Sequence, residues 1–290
     1  MAAGKNGFRW PDGNGLALSV VLNIEEGAEA SPLDGDSRAD PVDELGIALR
    51  GSGRNLPNES NYRYGINAGA PRLLDLLDRY GVPCTVAAAA LALERAPNLA
   101  GRLGESHHEV CAHGYRWSFQ HRMPEDEERE FIRKAADSIE ATNGSRPQGW
   151  LSRYLFTENT RRLLADEGFR YHMDDFSDDL PWWDNSHDQP VLVMPYALDT
   201  NDMKMWNAPS LTPRAWVEYL NDSLDWLLKE SREQARMMSV GIHARIAGRP
   251  GRAAALDAFL ARALTRPGVW PATRLQIADA WTAAHPPPVG

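Results

Sequence analysis

Apolar and polar positions along the chain follow a pattern that predicts strands alternating with helices. Short runs rich in Val, Ile and Leu, such as residues 16–24 and 235–246, indicate buried strands. Segments with leucines at helical spacing come between such runs. Residues 70–82 are an example, with Gly81 at the position where a helix would end. This alternation predicts an α/β fold with a mostly parallel sheet.

The same patterns extend the prediction over the rest of the chain. Further strands are predicted within 83–93 (running into a helix), 107–114, 148–153, 169–176, 191–198 and 269–275. Further helices are predicted over 124–142, 158–168, 212–233, 252–266 and 275–284. Residues 28–60 are rich in Gly, Asp, Ser, Asn and Pro, which predicts a long loop that forms a lid or wall of a site. Residues 174–184 combine several acids with two tryptophans, and we interpret them as a loop that covers a pocket or a subunit contact.

Composition narrows the classes of function. The chain has 290 residues, 31 of them basic and 40 acidic, and a net charge of −9. This balance argues against nucleic acid or an anionic membrane as a partner, because both need clustered basic residues. No apolar run is long enough to span a bilayer, and residues 1–15 lack the apolar core of a signal peptide. With Cys84 and Cys111 as its only cysteines, the chain is predicted to be a single cytoplasmic domain over residues 1–290.

Polar residues stand near the ends of five predicted strands: Glu25, His113, Arg153, Asp199 and His243. In α/β barrels the chemistry lies at the carboxyl ends of the strands, so these side chains are predicted to share one site. Each residue alone has an ordinary structural explanation. An acidic pair such as Glu25 and Glu26 is often a solvated turn, and Arg153 could form a purely structural ion pair.

These segments, in this order, resemble the polysaccharide deacetylase (NodB-homology) superfamily. The resemblance implies a distorted (β/α)7 barrel. The matching segments are Asn23-Ile24-Glu25-Glu26-Gly27, His113-Gly114-Tyr115-Arg116-Trp117, Arg153, the region Asp199–Asp202, and the strand that ends at His243.

The chain is most similar to the allantoinase and cyclic-imide-hydrolase branch of this superfamily, from residue 9 to residue 281. The resemblance implies a small cyclic amide as substrate and a homo-oligomer as the assembly. The predicted substrate-binding residues are Glu59, Tyr62, Tyr64, Trp117, Trp182 and Asp202. For residues 59–64 a loop packed by its own aromatic side chains remains the alternative.

One departure from the superfamily pattern bears on metal binding. Deacetylases of the family hold a divalent metal with one Asp and two His, and the matching positions here are Glu26, His113 and Trp117. An indole nitrogen only donates hydrogen bonds, so Trp117 has no lone pair for a metal. Two ligands make a poor catalytic zinc site. We therefore predict no metal and no other cofactor.

Hydrolysis without a metal needs a side chain as the base. We predict Glu25 as that base, with Glu26 as its partner or as an acceptor for the substrate. His113 and His243 are predicted to protonate the leaving nitrogen and stabilise the oxyanion, and Arg153 to orient Glu25 or bind a carbonyl or carboxylate. The alternatives are a metal-dependent deacetylase of N-acetylated sugars and a binding module without catalysis.

Overall fold

The computed structural model describes residues 7–42, 44, 46 and 51–288. The strands are β1 (Leu16–Ile24), β2 (Cys84–Ala88), β3 (Glu109–Ala112), β4 (Gly149–Trp150), β5 (Tyr171–His172), β6 (Trp182–Asp184), β7 (Val191–Val193), β8 (Arg236–His243) and β9 (Val269–Pro271). The helices are α1 (Leu56–Tyr64), α2 (Ala70–Tyr80), α3 (Ala90–Arg95), α4 (Pro97–Gly104), α5 (Glu125–Asn143), α6 (Thr160–Asp166), α7 (Pro213–Glu230), α8 (Pro250–Ala263) and α9 (Arg274–Ala284).

The strands form one curled sheet in the order β6-β7-β5-β4-β3-β2-β1-β8, with β9 paired to the start of β1. From β7 to β8 the paired strands run parallel, while β6 runs antiparallel to β7 at the edge. Among the described residues this path contains seven parallel strands, and helices connect them except between β5 and β7, where β6 intervenes. The prediction of an α/β fold of the distorted (β/α)7 type is confirmed.

Strand β1 lies between β2 and β8 in this sheet, and each of its positions is buried. Its residues alternate between two apolar clusters: Leu18 and Leu22 pack under the outer helices, whereas Ala17 and Val21 pack on the other face. This alternation is the two-residue period of a strand. Asn23 shares the face of Val21, and in the parallel register it pairs with His243 of β8. Two polar residues thus stand side by side where β1 and β8 end.

A π-helical turn (Gly65–Gly69) joins α1 to α2 and has glycine at both ends. A Cβ atom on Gly65 would lie 2.5 Å from Oε1 of Glu26, and one on Gly69 would collide with the carbonyl oxygen of Ala244. Both positions therefore need glycine because other atoms occupy the space of a side chain. This turn is the wall behind the segments that follow β1 and β8.

Two predictions from the sequence were wrong in detail. The segment 28–60 is not a loop to its end, since α1 begins at Leu56, where Asn55 Oδ1 accepts the backbone N–H of Asn58 at 3.1 Å. Within the same segment, residues 43, 45 and 47–50 lie outside the described residues. The acidic and aromatic stretch 174–184 is not all loop, because Trp182–Asp184 pairs with β7 as an edge strand. In the part of the chain that the structure describes, no helix has the length and apolar character needed to cross a membrane.

Candidate active site

A cavity of about 270 Å³ opens at the carboxyl ends of strands that include β1, β3, β4 and β8. The sequence predicted a site at this edge. Glu25 follows β1, His113 follows β3, Arg153 follows β4 and His243 ends β8, and all of them line the cavity. Asp199 lies outside this cavity, and its carboxylate accepts the hydroxyl of Tyr219 at 2.5 Å.

Glu25 is the buried carboxylate at the centre of this group. Its Oε2 lies 2.5 Å from Nη1 of Arg245, and its Oε1 lies 3.4 Å from Nε2 of His113 and 3.5 Å from Nε2 of His243. Burial opposes ionisation, but Arg245 and His243 outweigh it and lower the pKa of Glu25 well below its usual value. Glu25 is therefore a carboxylate, with one oxygen held by Arg245 and the other facing the two histidines.

His243 is held in the site by Asp202. Its Nδ1 lies 2.6 Å from Oδ1 of Asp202, whose other oxygen accepts the backbone N–H groups of His243 (2.7 Å) and Ala247 (3.0 Å). Burial disfavours a charged ring, but Asp202 and Glu25 outweigh it and raise the pKa of His243 to about 10. His243 is therefore an imidazolium at neutral pH and presents its Nε2–H towards Glu25.

Asp202→Asn is expected to lower the pKa of His243, because the carboxylate that stabilises its positive charge is lost. If the protonated ring is needed for turnover, the alkaline limb of kcat/KM should then move to lower pH. Rates measured from pH 6 to pH 10 on the variant and the wild type test this. An unchanged alkaline limb would show that His243 does not set it.

His113 and Trp117 form a closed pair of rings. Nδ1 of His113 lies 2.7 Å from the carbonyl oxygen of Leu151, an acceptor, so this nitrogen carries the proton. The Nε2 lone pair of the neutral ring then accepts the indole N–H of Trp117 at 3.1 Å. In this arrangement His113 offers no proton to the cavity. Of the two predicted proton donors, the geometry favours His243.

Glu26 points away from the cavity. Its Oε2 accepts the backbone N–H of Glu25 at 3.0 Å, and its Oε1 accepts the backbone N–H of Arg245, also at 3.0 Å. Burial raises the pKa of Glu26 and outweighs the opposing effect of Arg245. The Arg245 guanidinium also packs near the rings of Tyr62 (4.6 Å) and Trp117 (5.2 Å). Glu26 therefore holds the backbone of Glu25 and Arg245 in place and does not face the cavity.

Arg153 does not orient Glu25, contrary to one role predicted for it. Its guanidinium makes a buried pair with Asp40, Nη1 to Oδ2 at 2.7 Å and Nη2 to Oδ1 at 2.8 Å. It also donates to the carbonyl oxygen of Trp117 and stacks 3.6 Å from that ring. Because Arg245 already occupies the place beside Glu25, Arg153 instead ties the loop that carries Asp40 to the end of β4.

Comparison with known proteins identifies the family. The family model of polysaccharide deacetylases matches residues 61–172. A protein of Schizosaccharomyces pombe (strain 972 / ATCC 24843) that is named for the polysaccharide deacetylases is 34% identical over 299 residues, which cover 96% of this chain and 93% of that protein. The chain belongs to the polysaccharide deacetylase family.

Two solved structures of this family extend the similarity to the whole fold. A probable polysaccharide deacetylase from Pseudomonas aeruginosa PAO1 has a TM-score of 0.91 and 40% identity, over 96% of this chain and 94% of that one. The PuuE allantoinase has a TM-score of 0.90 and 40% identity, over 96% of this chain and 93% of that one. The two relatives are equally similar in sequence, so similarity alone does not separate their two activities.

The metal-binding positions of the polysaccharide deacetylase family do not form a metal site in this chain. At the matching positions, the Nε2 lone pair of His113 accepts a hydrogen bond from the indole N–H of Trp117, and both oxygens of Glu26 accept backbone N–H groups. Nη1 of Arg245 lies 3.5 Å from Oε1 of Glu26. A metal cation bound to this carboxylate would therefore be repelled by the positive charge of the guanidinium. The residues present therefore do not fit a catalytic metal.

One other cluster of possible ligands exists among the described residues, formed by Asp78, His107 and His108. Nδ1 of His108 accepts the backbone N–H of Cys84 at 3.2 Å, so Nε2 of the neutral ring carries the proton. That nitrogen lies 3.1 Å from Oδ1 of Asp78, so the ring and the carboxylate are in contact. The cluster is explained by an ordinary structural contact.

Three predicted substrate-binding residues are engaged away from the cavity. Glu59 pairs with Arg54 at 2.6 Å, and the hydroxyl of Tyr64 donates to the carbonyl oxygen of Gly248. Trp182 lies in the edge strand β6. Of the others, Trp117 lines the cavity, whereas Tyr62 and Asp202 are buried behind it and hold Arg245 and His243.

Several residues of the site were not predicted from the sequence. Arg245 stands two positions after His243, and a basic residue just past a buried strand was a usable signal. Asp40 lies within a polar loop that contains many acids, so nothing local distinguished it. Asn23 and Tyr196, which line the cavity, occur in strand-like segments that were interpreted as core.

Proposed function

We propose that this protein is a hydrolase that opens the ring of a small cyclic amide, such as allantoin, a hydantoin or a cyclic imide, without a metal ion. One observation carries the proposal. An ionised carboxylate, Glu25, lies against an imidazolium, His243, at the floor of a small cavity, while the indole of Trp117 occupies the lone pair of His113. An acid and a base thus line one cavity, beside a histidine whose lone pair is not free to bind a metal.

In the proposed reaction Glu25 binds a water molecule through Oε1 and takes one of its protons as the oxygen attacks the ring carbonyl. Positive charge from the imidazolium stabilises the oxyanion that forms. The carbon–nitrogen bond then breaks, and Nε2–H of His243 protonates the leaving nitrogen. The product is a ring-opened carboxylic acid. Glu25 can return its proton to His243, since the two side chains are 3.5 Å apart.

Support for a cyclic substrate comes from chemistry and from similarity. A carboxylate and an imidazolium activate water less strongly than zinc, which favours a substrate whose leaving nitrogen is stabilised by a neighbouring carbonyl. The rings of imides and ureides have this property. The 40% identity to the PuuE allantoinase favours the same class. The equal identity to a probable polysaccharide deacetylase keeps deacetylation of N-acetylated sugars as the second candidate.

The test uses protein dialysed against a chelator and a panel of allantoin, hydantoin, succinimide, dihydrouracil and an N-acetyl sugar. We expect ring opening to survive the chelator, because the reaction uses only side chains. Activity that disappears on dialysis and returns with zinc, together with acetate release from the sugar, would replace this proposal by the deacetylase. Tight binding of a ring without any product would indicate a binding module.

The remaining predictions from sequence concern the protein's setting. A single domain over residues 1–290, a cytoplasmic location, a homo-oligomer, and no nucleic-acid or membrane partner remain part of the proposal. Size-exclusion chromatography with light scattering would measure the oligomeric state.

A further inference from the structure

Asn23 presents one specific atom to the cavity. Its Nδ2 group donates both of its protons within the protein, one to the hydroxyl of Tyr196 at 2.8 Å and one to the carbonyl oxygen of Ile242 at 3.0 Å. A carbonyl oxygen only accepts, so this contact fixes the orientation of the amide. The side chain is buried and lines the cavity, and since no described residue donates a hydrogen bond to Oδ1, this atom is left for a ligand. That atom is an acceptor.

Tyr196 supplies the complementary group. Among the described residues, its hydroxyl makes one hydrogen bond, in which the oxygen accepts from Asn23. Burial raises the pKa of Tyr196 above its usual value, so the hydroxyl keeps its proton. Tyr196 also lines the cavity. The wall beside His243 thus combines an acceptor and a donor on neighbouring side chains.

We propose that Asn23 and Tyr196 bind the part of the ring that is not cleaved, Oδ1 accepting a ring N–H and the hydroxyl donating to the adjacent ring carbonyl. This inference rests on the proposed function. Because Asn23 pairs with His243 across β1 and β8, the recognised edge lies next to the nitrogen that His243 protonates.

The combination of an acceptor on Asn23 and a donor on Tyr196 narrows the proposed substrate class to cyclic ureides. In a hydantoin or dihydrouracil ring, the leaving nitrogen is followed by a carbonyl and then by a second N–H. A plain imide has a carbonyl there but a CH₂ group in place of the second N–H. It would leave Oδ1 of Asn23 buried without a partner, which is costly. Ring opening of a ureide yields a carboxylic acid that carries a urea group.

The experiment compares hydantoin with 1-methylhydantoin, in which a methyl group replaces the proton of the second N–H. For the wild type we expect kcat/KM to be about 10- to 100-fold higher for hydantoin. In Asn23→Ala the acceptor is gone and space is left for the methyl group, so this preference should fall to near unity. In Tyr196→Phe both rates should fall about tenfold while the preference stays, because the carbonyl is present in both substrates.

Asn201→Ala is the matched control. Asn201 lines the same cavity, but its Oδ1 accepts the backbone N–H of Met203 at 3.0 Å, so it is expected to change both rates in parallel. Equal rates for the two substrates in the wild type would overturn the inference and leave the proposed function standing. So would an Asn23→Ala variant that keeps the wild-type preference. A wild type that opens none of the rings would overturn both.

Discussion

Glu25→Gln is expected to lower kcat/KM for ring opening by about 10²- to 10⁴-fold, the usual contribution of a general base. The amide keeps the size of the side chain and can still accept from Arg245, but it cannot take a proton from water. Steady-state rates on hydantoin at pH 8 measure the effect. Urea unfolding of the same samples separates lost chemistry from lost structure.

Asp174→Asn is the control for that variant. Asp174 also lines the cavity, but it accepts the backbone N–H of Ser152 and lies 2.7 Å from Nε2 of His172. Its replacement should change the rate by less than about tenfold, because it does not face the reacting atoms. Turnover retained in a folded Glu25→Gln variant would contradict the assignment of Glu25 as the base.

Arg245→Met is expected to destabilise the protein by about 3–5 kcal/mol at pH 7, the range for removing one partner of a buried ion pair. Arg245 lies 2.5 Å from Glu25 and 3.5 Å from Glu26, and all of these side chains are buried. Without the guanidinium, only the two histidines would oppose burial, so the pKa of Glu25 would be higher than in the wild type. The free energy of unfolding, measured with urea, gives the loss directly.

The loss of unfolding free energy in Arg245→Met is expected to depend on pH, and the pKa of Glu25 gives the direction. In the wild type the folded pKa of Glu25 is lowered, so its stabilisation is present above the unfolded pKa and is lost as pH falls through the folded value. In Arg245→Met the folded pKa of Glu25 would be higher than in the wild type, so protonation of Glu25 would remove part of the difference in stability. This difference should therefore shrink as the pH falls from 7 to below the ordinary pKa of a glutamic acid, about 4.3. A constant difference would show that lost packing, and not charge, dominates.

Arg95→Met provides the matched control for Arg245. Arg95 pairs with Asp34 at 2.6 Å, but 44% of its side chain is exposed. Solvent screens such pairs, and we expect a loss of no more than about 1 kcal/mol. A similar loss for both arginines would contradict a special role for the buried pair.

Much of the fold could be predicted from the sequence because apolar residues recur at the spacing typical of helices or form short buried runs typical of strands. Strand β1 was predicted at its observed bounds, because its apolar run ends at the charged residue Glu25. Helix α2 was predicted within two residues, because its regularly spaced leucines are followed by Gly81. The start of α1 was missed because its signal is a short Asn-Leu-Pro cap within a polar loop. Strand β6 was missed because its acidic and tryptophan-rich stretch resembles a loop.

The residues at the ends of strands were predictable, but their partners were not. Glu25, His113 and His243 converge because parallel strands place their carboxyl ends at one edge of a barrel. The choice between Arg153 and Arg245 as the partner of Glu25 depends on which guanidinium reaches it in three dimensions. Asp40, far away in sequence, neutralises Arg153 and decides that choice. Sequence spacing contains no information about such a contact.

The glycine-ended turn between α1 and α2 limits how this enzyme class could be redesigned. Gly65 and Gly69 do not line the cavity, yet the atoms of Glu26 and Ala244 fill the space where their side chains would be. Ala244 lies between His243 and Arg245, so any added methyl group at Gly69 would displace the backbone that carries the acid and the ion pair. Directed evolution that varies only the residues lining the cavity would therefore leave the positions of His243 and Arg245 unchanged, because these positions depend on two glycines outside the cavity.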